Sequence, residues 1–188
     1  MARAGLSPDA IVDLALQIID EEGPAGVTLS AVAGRAGVAT PSLYKHVRNL
    51  AEVNTLVSIR VMDELADRAR ELVLGLSGAE ALHAFMNVWR EYVRSNPGRY
   101  AAMIQAAQPE LAEAGGRLVD ILLALLRGYG LEGADAIHAA RCVRSAVHGF
   151  AVLEAAGGFG LPVDLDDSYE QLKRMIISGL PKTDRPHV

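Results

Sequence analysis

Between Thr28 and Leu50 the chain reads TLSAVAGRAGVATPSLYKHVRNL, and the second half of that stretch brings Thr40, Ser42, Tyr44, Lys45, His46 and Arg48 close together. Hydroxyls, an imidazole, an ammonium and a guanidinium are the groups that hydrogen-bond phosphate oxygens and base edges. A lysine can donate to guanine O6 and N7 or to a phosphate, and a tyrosine or histidine can reach backbone oxygens at either flank. Catalytic chemistry is harder to find. No glycine-rich phosphate loop follows a strand and no nucleophile–base arrangement stands out, so no catalytic residue is assigned and no enzyme is expected. His138 and Cys142 stand one helical turn apart, a spacing that can hold two ligands of a transition metal. Two ligands make no site and there is no second cysteine, so neither a metal nor a cofactor is expected.

The elements that must position these groups are helical. Ser7-Pro8-Asp9 is a start signal: serine caps free amides, proline is tolerated in the first turn, and aspartate suits the positive end of the helix dipole. Ile11, Leu14, Ala15, Ile18 and Ile19 then recur on one face until Gly23-Pro24 ends the run. A second helix follows Thr28, with Val32, Ala33 and Ala36 inward, and Gly37 supplies the tight turn after it. Thr40 as a cap and Pro41 in the first turn open a third, where Leu43 and Val47 are spaced to bury together. That leaves the polar, aromatic and basic residues on its outer and flanking faces. Two short helices around Gly37-Val38 read as a helix-turn-helix, whose second helix would enter double-stranded DNA.

Asn49 looks like the cap of a long fourth helix running from Ala51 to about Gly75, and Gly75 to Gly78 makes a break. Beyond it, helices are expected at about 78–95, 97–107, 109–129, 133–157 and 166–180. Gly115-Gly116 would either kink or divide one of them. No period-2 strand pattern of any length and no fixed repeat is present. The expected fold is all-α with about nine helices. Residues 1–50 form a helix-turn-helix domain, 51–75 a connecting helix, 76–180 a ligand-binding and dimerisation domain, and 181–188 a flexible tail.

Composition bounds the function. The chain has 188 residues, 51% of them hydrophobic, enough for a sizeable core, and a formal net charge of -5 that argues against coating nucleic acid or anionic membrane over the whole surface. From Thr28 to Arg60, however, Arg35, Lys45, Arg48 and Arg60 face Glu52 alone, an excess sufficient for a small DNA-contacting face. A single cysteine, Cys142, rules out an internal disulfide. The N-terminus has no apolar core of signal-peptide length, and Leu118 to Leu126, interrupted by Asp120, is too short to span a bilayer, so a soluble, cytoplasmic protein without membrane contact is expected.

From Ser7 to Leu56 the sequence resembles the TetR family of bacterial transcriptional regulators. Thr28, Ala33, Ala36, Gly37-Val38, Leu43-Tyr44, His46-Val47 and Asn49 stand where that family's pattern has residues of their kind. Asn96-Pro97-Gly98 and AVHGFAVLE in the second half also resemble the ligand-binding domain type named for a Trp-His-Gly motif, with Val147 in place of the tryptophan. The resemblance implies a homodimer on a roughly palindromic operator, with a small-molecule effector in the helical C-terminal domain changing the spacing of two recognition helices. Carried over position by position, Thr40, Ser42 and Lys45 would face base edges and Thr28, Tyr44 and His46 would contact or brace phosphates, with Pro41 opening the same surface. The family usually has lysine where this chain has Leu50, which removes a phosphate contact that Arg48 would partly replace.

Embedded among apolar residues of the second half, His83, Asn87, Trp89, Tyr92, Tyr100, Gln105, His138, Arg141 and His148 are candidates to orient a ligand. Val143, Val147 and Ala151, with Ile176 and Leu180 near the chain end, are expected to pair with their symmetry mates as an intersubunit four-helix bundle. The favoured expectation is a repressor released from its operator by a small, largely apolar molecule. The alternatives are a DNA-binding regulator whose helical domain is only a dimerisation scaffold, or a helical small-molecule carrier with a degenerate helix-turn-helix.

Overall fold

A computed structural model of the chain describes residues 6–104 and 109–181; the expected tail from residue 182 and the candidate Gln105 lie outside the described residues. The described residues form eight α-helices and three short 3-10 segments, with no strand among them. The helices are α1 (Pro8–Glu22), α2 (Leu29–Ala36), α3 (Leu50–Val73), α4 (Gly78–Ser95), α5 (Pro97–Met103), α6 (Ala112–Arg127), α7 (Gly133–Ala155) and α8 (Leu165–Ser178). The all-α class and the order of elements are those the sequence implies.

Two compact units divide the chain, and their boundary differs from the expected one at residue 75. The first comprises Met1–Asp63 and Asn96–Gly115, the second Glu64–Ser95 and Gly116–Val188. The segment from Asn96 joins the first unit because α5 docks on α1. Gly98 permits the approach: a Cβ there would meet the Ile19 carbonyl oxygen at 2.9 Å. Arg99 then grips Asp20 with two hydrogen bonds of 2.8 and 2.7 Å, and the buried Ser58 hydroxyl donates to the Ala102 carbonyl at 3.1 Å. Ile11, Ala15, Ile18, Val32, Leu43, Val53 and Val57 fill the core of this unit.

In the second unit α7 packs chiefly on α4, and α8 lies against both. Phe85 and Trp89 stack edge to face at 5.8 Å, and the buried Tyr169 hydroxyl donates to the Met86 carbonyl at 2.6 Å. The expected intersubunit stripe needs correction here. Val143, Val147 and Ala151 are completely buried within the single chain, because the Ala-Val face of α7 is the one that closes onto its own unit. Ile176 and Leu180 are half-buried. Gly115-Gly116 does not divide its helix: α6 runs from Ala112 to Arg127, preceded by a 3-10 turn at Pro109–Leu111. No helix among the described residues is long and apolar enough to cross a membrane.

Candidate nucleic-acid interface

The surface carrying Thr28 to Arg48 is built by local rules. The Thr28 side chain caps α2, its hydroxyl oxygen accepting from the Ala31 amide at 3.0 Å. Gly37, at φ 67°, ends the helix in the left-handed region. The Val38 amide then reaches the Ala33 carbonyl at 3.0 Å and closes the turn. The reading segment itself departs from expectation. Thr40–Lys45 winds as a 3-10 helix rather than an α-helix: Pro41 has no amide to donate, and the Ser42 amide bonds Ala39 three residues back at 2.8 Å.

Leu43 and Val47 are buried and hold the segment to the unit. With those two inward, Tyr44, Lys45 and Arg48 point to solvent, with Pro41 beside them, while Thr40, Ser42 and His46 are half-buried at the flanks. The exposure of Tyr44, 57%, excludes the packed-ring role that a tyrosine beside a core leucine could have had. Removing Leu43 would cost about 2–5 kcal/mol of stability as a core truncation.

The local excess of positive charge is smaller than the sequence count implies. Arg35 donates to Glu21 through both terminal nitrogens, one contact at 2.8 Å, and also reaches Glu22 at 3.3 Å. Its guanidinium holds the Glu21 carboxyl below the usual range. Arg60 is drawn to Asp13 at 2.8 Å and Asp9 at 3.0 Å. Both arginines are therefore balanced by carboxylates of α1. Arg48 leans on Glu52 at 3.2 Å while remaining exposed. Glu52 is doubly engaged, because its carboxylate also accepts the Arg48 backbone amide while its own amide donates to Asn49 Oδ1 at 2.9 Å. This pairing lowers the Glu52 carboxyl and caps α3. Among the described residues Lys45 has no ion-pair partner, so it is the cation of this surface most available to a phosphate or a base.

A helix-turn-helix with an exposed Tyr-Lys edge is matched in sequence by a family profile described as bacterial regulatory proteins, tetR family, over residues 11–49. Residues 82–176 match a second profile, described as tetracyclin repressor-like, C-terminal domain. The chain belongs to the TetR family. Among curated relatives of this TetR-family regulator, YobS of Bacillus subtilis, an uncharacterised HTH-type transcriptional regulator, is 33% identical across 95% of this chain and 94% of its own length. The uncharacterised HTH-type transcriptional regulator Rv0681 of Mycobacterium tuberculosis is 32% identical across 95% of this chain and 84% of its own. The fold is shared with a protein of unknown function from Rhodococcus sp. RHA1, at a TM-score of 0.80 and 19% identity, covering 95% of this chain and 97% of that one. The protein is thus a DNA-binding transcriptional regulator.

The ligand candidates of this TetR-family protein scatter. Asn87 and Tyr92 share the wall of a cavity of about 780 Å³ in the second unit, with Arg68, Leu72, Leu76 and Val88. His83 lies on a separate cleft of about 570 Å³ with Tyr129 and Arg174, where burial holds its imidazole below the usual value. Trp89 fills core volume, as its contact with Phe85 requires, and Tyr100 is buried in α5 of the first unit. His138 and Arg141 are exposed on α7, and His148 is half-buried there. Sequence reasoning did not find Arg68 or the buried Lys173 that stands behind Asn87. Both look like ordinary solvated cations of amphipathic helices.

Proposed function

We propose that this regulator is a repressor released from a palindromic operator by a small, largely apolar molecule bound in its second unit. The observation that carries the reading is the cavity of about 780 Å³ whose walls include Leu72, Leu76, Val88 and Tyr92, within the size and character of small-molecule sites. α3 starts just after the reading segment and ends at the cavity. Its cap, Asn49, follows the reading segment, and its last turns supply Arg68 and Leu72 to the cavity. An effector that binds one arrangement of these elements more tightly than the other shifts the protein away from operator binding.

In this reading Lys45 reads a base or a phosphate, Thr40 and Ser42 meet base edges, Pro41 shapes the same edge, and Thr28, Tyr44, His46 and Arg48 hold phosphates. The protein acts in the cytoplasm as a homodimer. Since the Val143, Val147 and Ala151 face is filled internally, the pairing surface is the opposite side of α7, where Ser145 is exposed and a side chain added at Gly149 meets open space. Ile176 and Leu180, half-buried in the single chain, extend it. Operator DNA recovered by selection from genomic fragments, titrated with and without apolar compounds that raise the melting temperature, tests the reading. A repressor loses operator affinity on adding such a compound; unchanged affinity leaves the second unit as a dimerisation scaffold.

A further inference from the structure

The polar groups on the wall of the 780 Å³ cavity differ in how far they are already committed. Arg90 is engaged by Glu154 through two hydrogen bonds of 2.7 and 2.6 Å and by Asp166 at 2.8 Å. The Tyr92 hydroxyl donates to Glu64 at 2.9 Å. Glu91 accepts from the Ser95 hydroxyl at 2.8 Å. Two donors remain.

Asn87 is the first. Lys173, on α8 and only 2% exposed, places its ammonium 2.7 Å from Asn87 Oδ1 and 2.6 Å from Glu170 Oε1. An ammonium can only donate, so the amide must turn its oxygen to Lys173 and its NH2 the other way. Asn87 is exposed at the cavity wall, and no acceptor among the described residues takes up that NH2. Arg68 is the second. Its guanidinium carbon lies 5.0 Å from the centroid of the Tyr92 ring, and among the described residues no carboxylate pairs with it. A guanidinium stacked on a ring keeps its in-plane N–H edge for an acceptor.

Resting on the effector reading above, we propose that the cavity takes an amphipathic organic carboxylate, its apolar body against Leu72, Leu76 and Val88 and its carboxylate hydrogen-bonded by Asn87 Nδ2 and Arg68. Lys173 is the positioning residue. It makes no contact with the ligand, but it fixes which end of the Asn87 amide the ligand meets. The walls thereby select for the head group as well as for apolar area: a carboxylate accepts from both donors, an alcohol gains only neutral hydrogen bonds, and an alkylamine meets Arg68 as a like charge and has only Glu71 and Glu91 of the same wall to pair with.

Calorimetric titration of the full chain with decanoate, decanol and decylamine tests this directly. Decanoate is expected to bind about tenfold or more tighter than decanol, in line with the strength of charge-assisted hydrogen bonds, with decylamine weakest. Asn87→Asp keeps an oxygen toward Lys173 and puts a second oxygen where the donor stood. It should leave the melting temperature unchanged or raised, weaken decanoate about tenfold and affect decanol far less. Arg68→Gln, at an exposed position, should weaken decanoate in the same selective way. If the three compounds bind equally, or if decanoate binding ignores both substitutions, the head-group inference is overturned while the cavity remains an effector site. If none of the three binds, the effector reading falls with it.

Discussion

In the unit that carries Thr28 to Arg48, paired arginines sit toward the surface: Arg35 with Glu21 and Glu22, Arg60 with Asp9 and Asp13, Arg99 with Asp20. The second unit has a surface pair of its own, Arg117 with Asp67, but two of its paired cations are inside. Arg90, 7% exposed, is held by Glu154, and Lys173, 2% exposed, by Asn87 and Glu170. The same residue types therefore have different consequences. Exposed pairs add little to stability, since water screens them and two long side chains lose freedom in forming them. What they set is the potential over the reading surface, by leaving Lys45 and the exposed Arg48 as its positive charges. Buried pairs are costly to break, because the surviving charge has no water to return to. They fix how α8 and α7 register on α4, and through Lys173 they fix the face that Asn87 shows to the cavity.

The largest effect should come from the inside pair. Glu154→Ala leaves Arg90 with only the exposed Asp166 and should lower stability by about 3 kcal/mol in urea unfolding. A loss too small to resolve would mean that the second unit's charges behave like surface ones. Gly98→Ala tests the first unit at its closest approach. The added methyl meets the Ile19 carbonyl oxygen, a backbone atom that cannot swing aside, and overpacking of this kind costs about 1–3 kcal/mol. Thermal denaturation reads it, and wild-type stability would show that α5 docks more loosely than the geometry states. Smallest in stability is Glu21→Gln with Glu22→Gln. Melting temperature should not move, while DNA affinity at low salt should rise because the Arg35 guanidinium no longer has carboxylates competing with phosphates. A clear drop in melting temperature would erase the contrast between the two units.

Much of the first unit was legible because its signals are local. Ser7, Thr28 and Asn49 cap the amides three residues ahead of them, as their side chains and positions imply. Gly37 takes the left-handed conformation that the turn demands, and Leu43 with Val47 supplies the anchor. The charge balance of that surface was not legible, since Asp13 and Arg60 lie 47 positions apart and meet only in the folded chain. The 3-10 winding of Thr40–Lys45 was also hidden: Pro41 in a first turn is compatible with either helix. In the second unit the Ala-Val stripe of α7 has the small, apolar character of a helix pairing surface. Periodicity cannot tell whether the partner helix belongs to the same chain; here it is α4. Lys173 shows the same limit, because a lysine on an amphipathic helix reads as solvated until another helix is laid over it.

We propose that the Thr28 to Arg48 surface reads DNA with Lys45 as its least encumbered cation. Operator affinity measured across a range of salt concentrations for wild type, Tyr44→Ala and Lys45→Ala tests it most directly. Both variants should keep the wild-type melting temperature and bind more weakly. If Lys45 meets a phosphate, its loss should reduce the slope of log affinity against log salt by about 1. If it reads a base, the loss should instead relax specificity at one operator position, at about 1–3 kcal/mol. Operator affinity, salt slope and specificity all unchanged in both variants would mean that this surface does not read DNA.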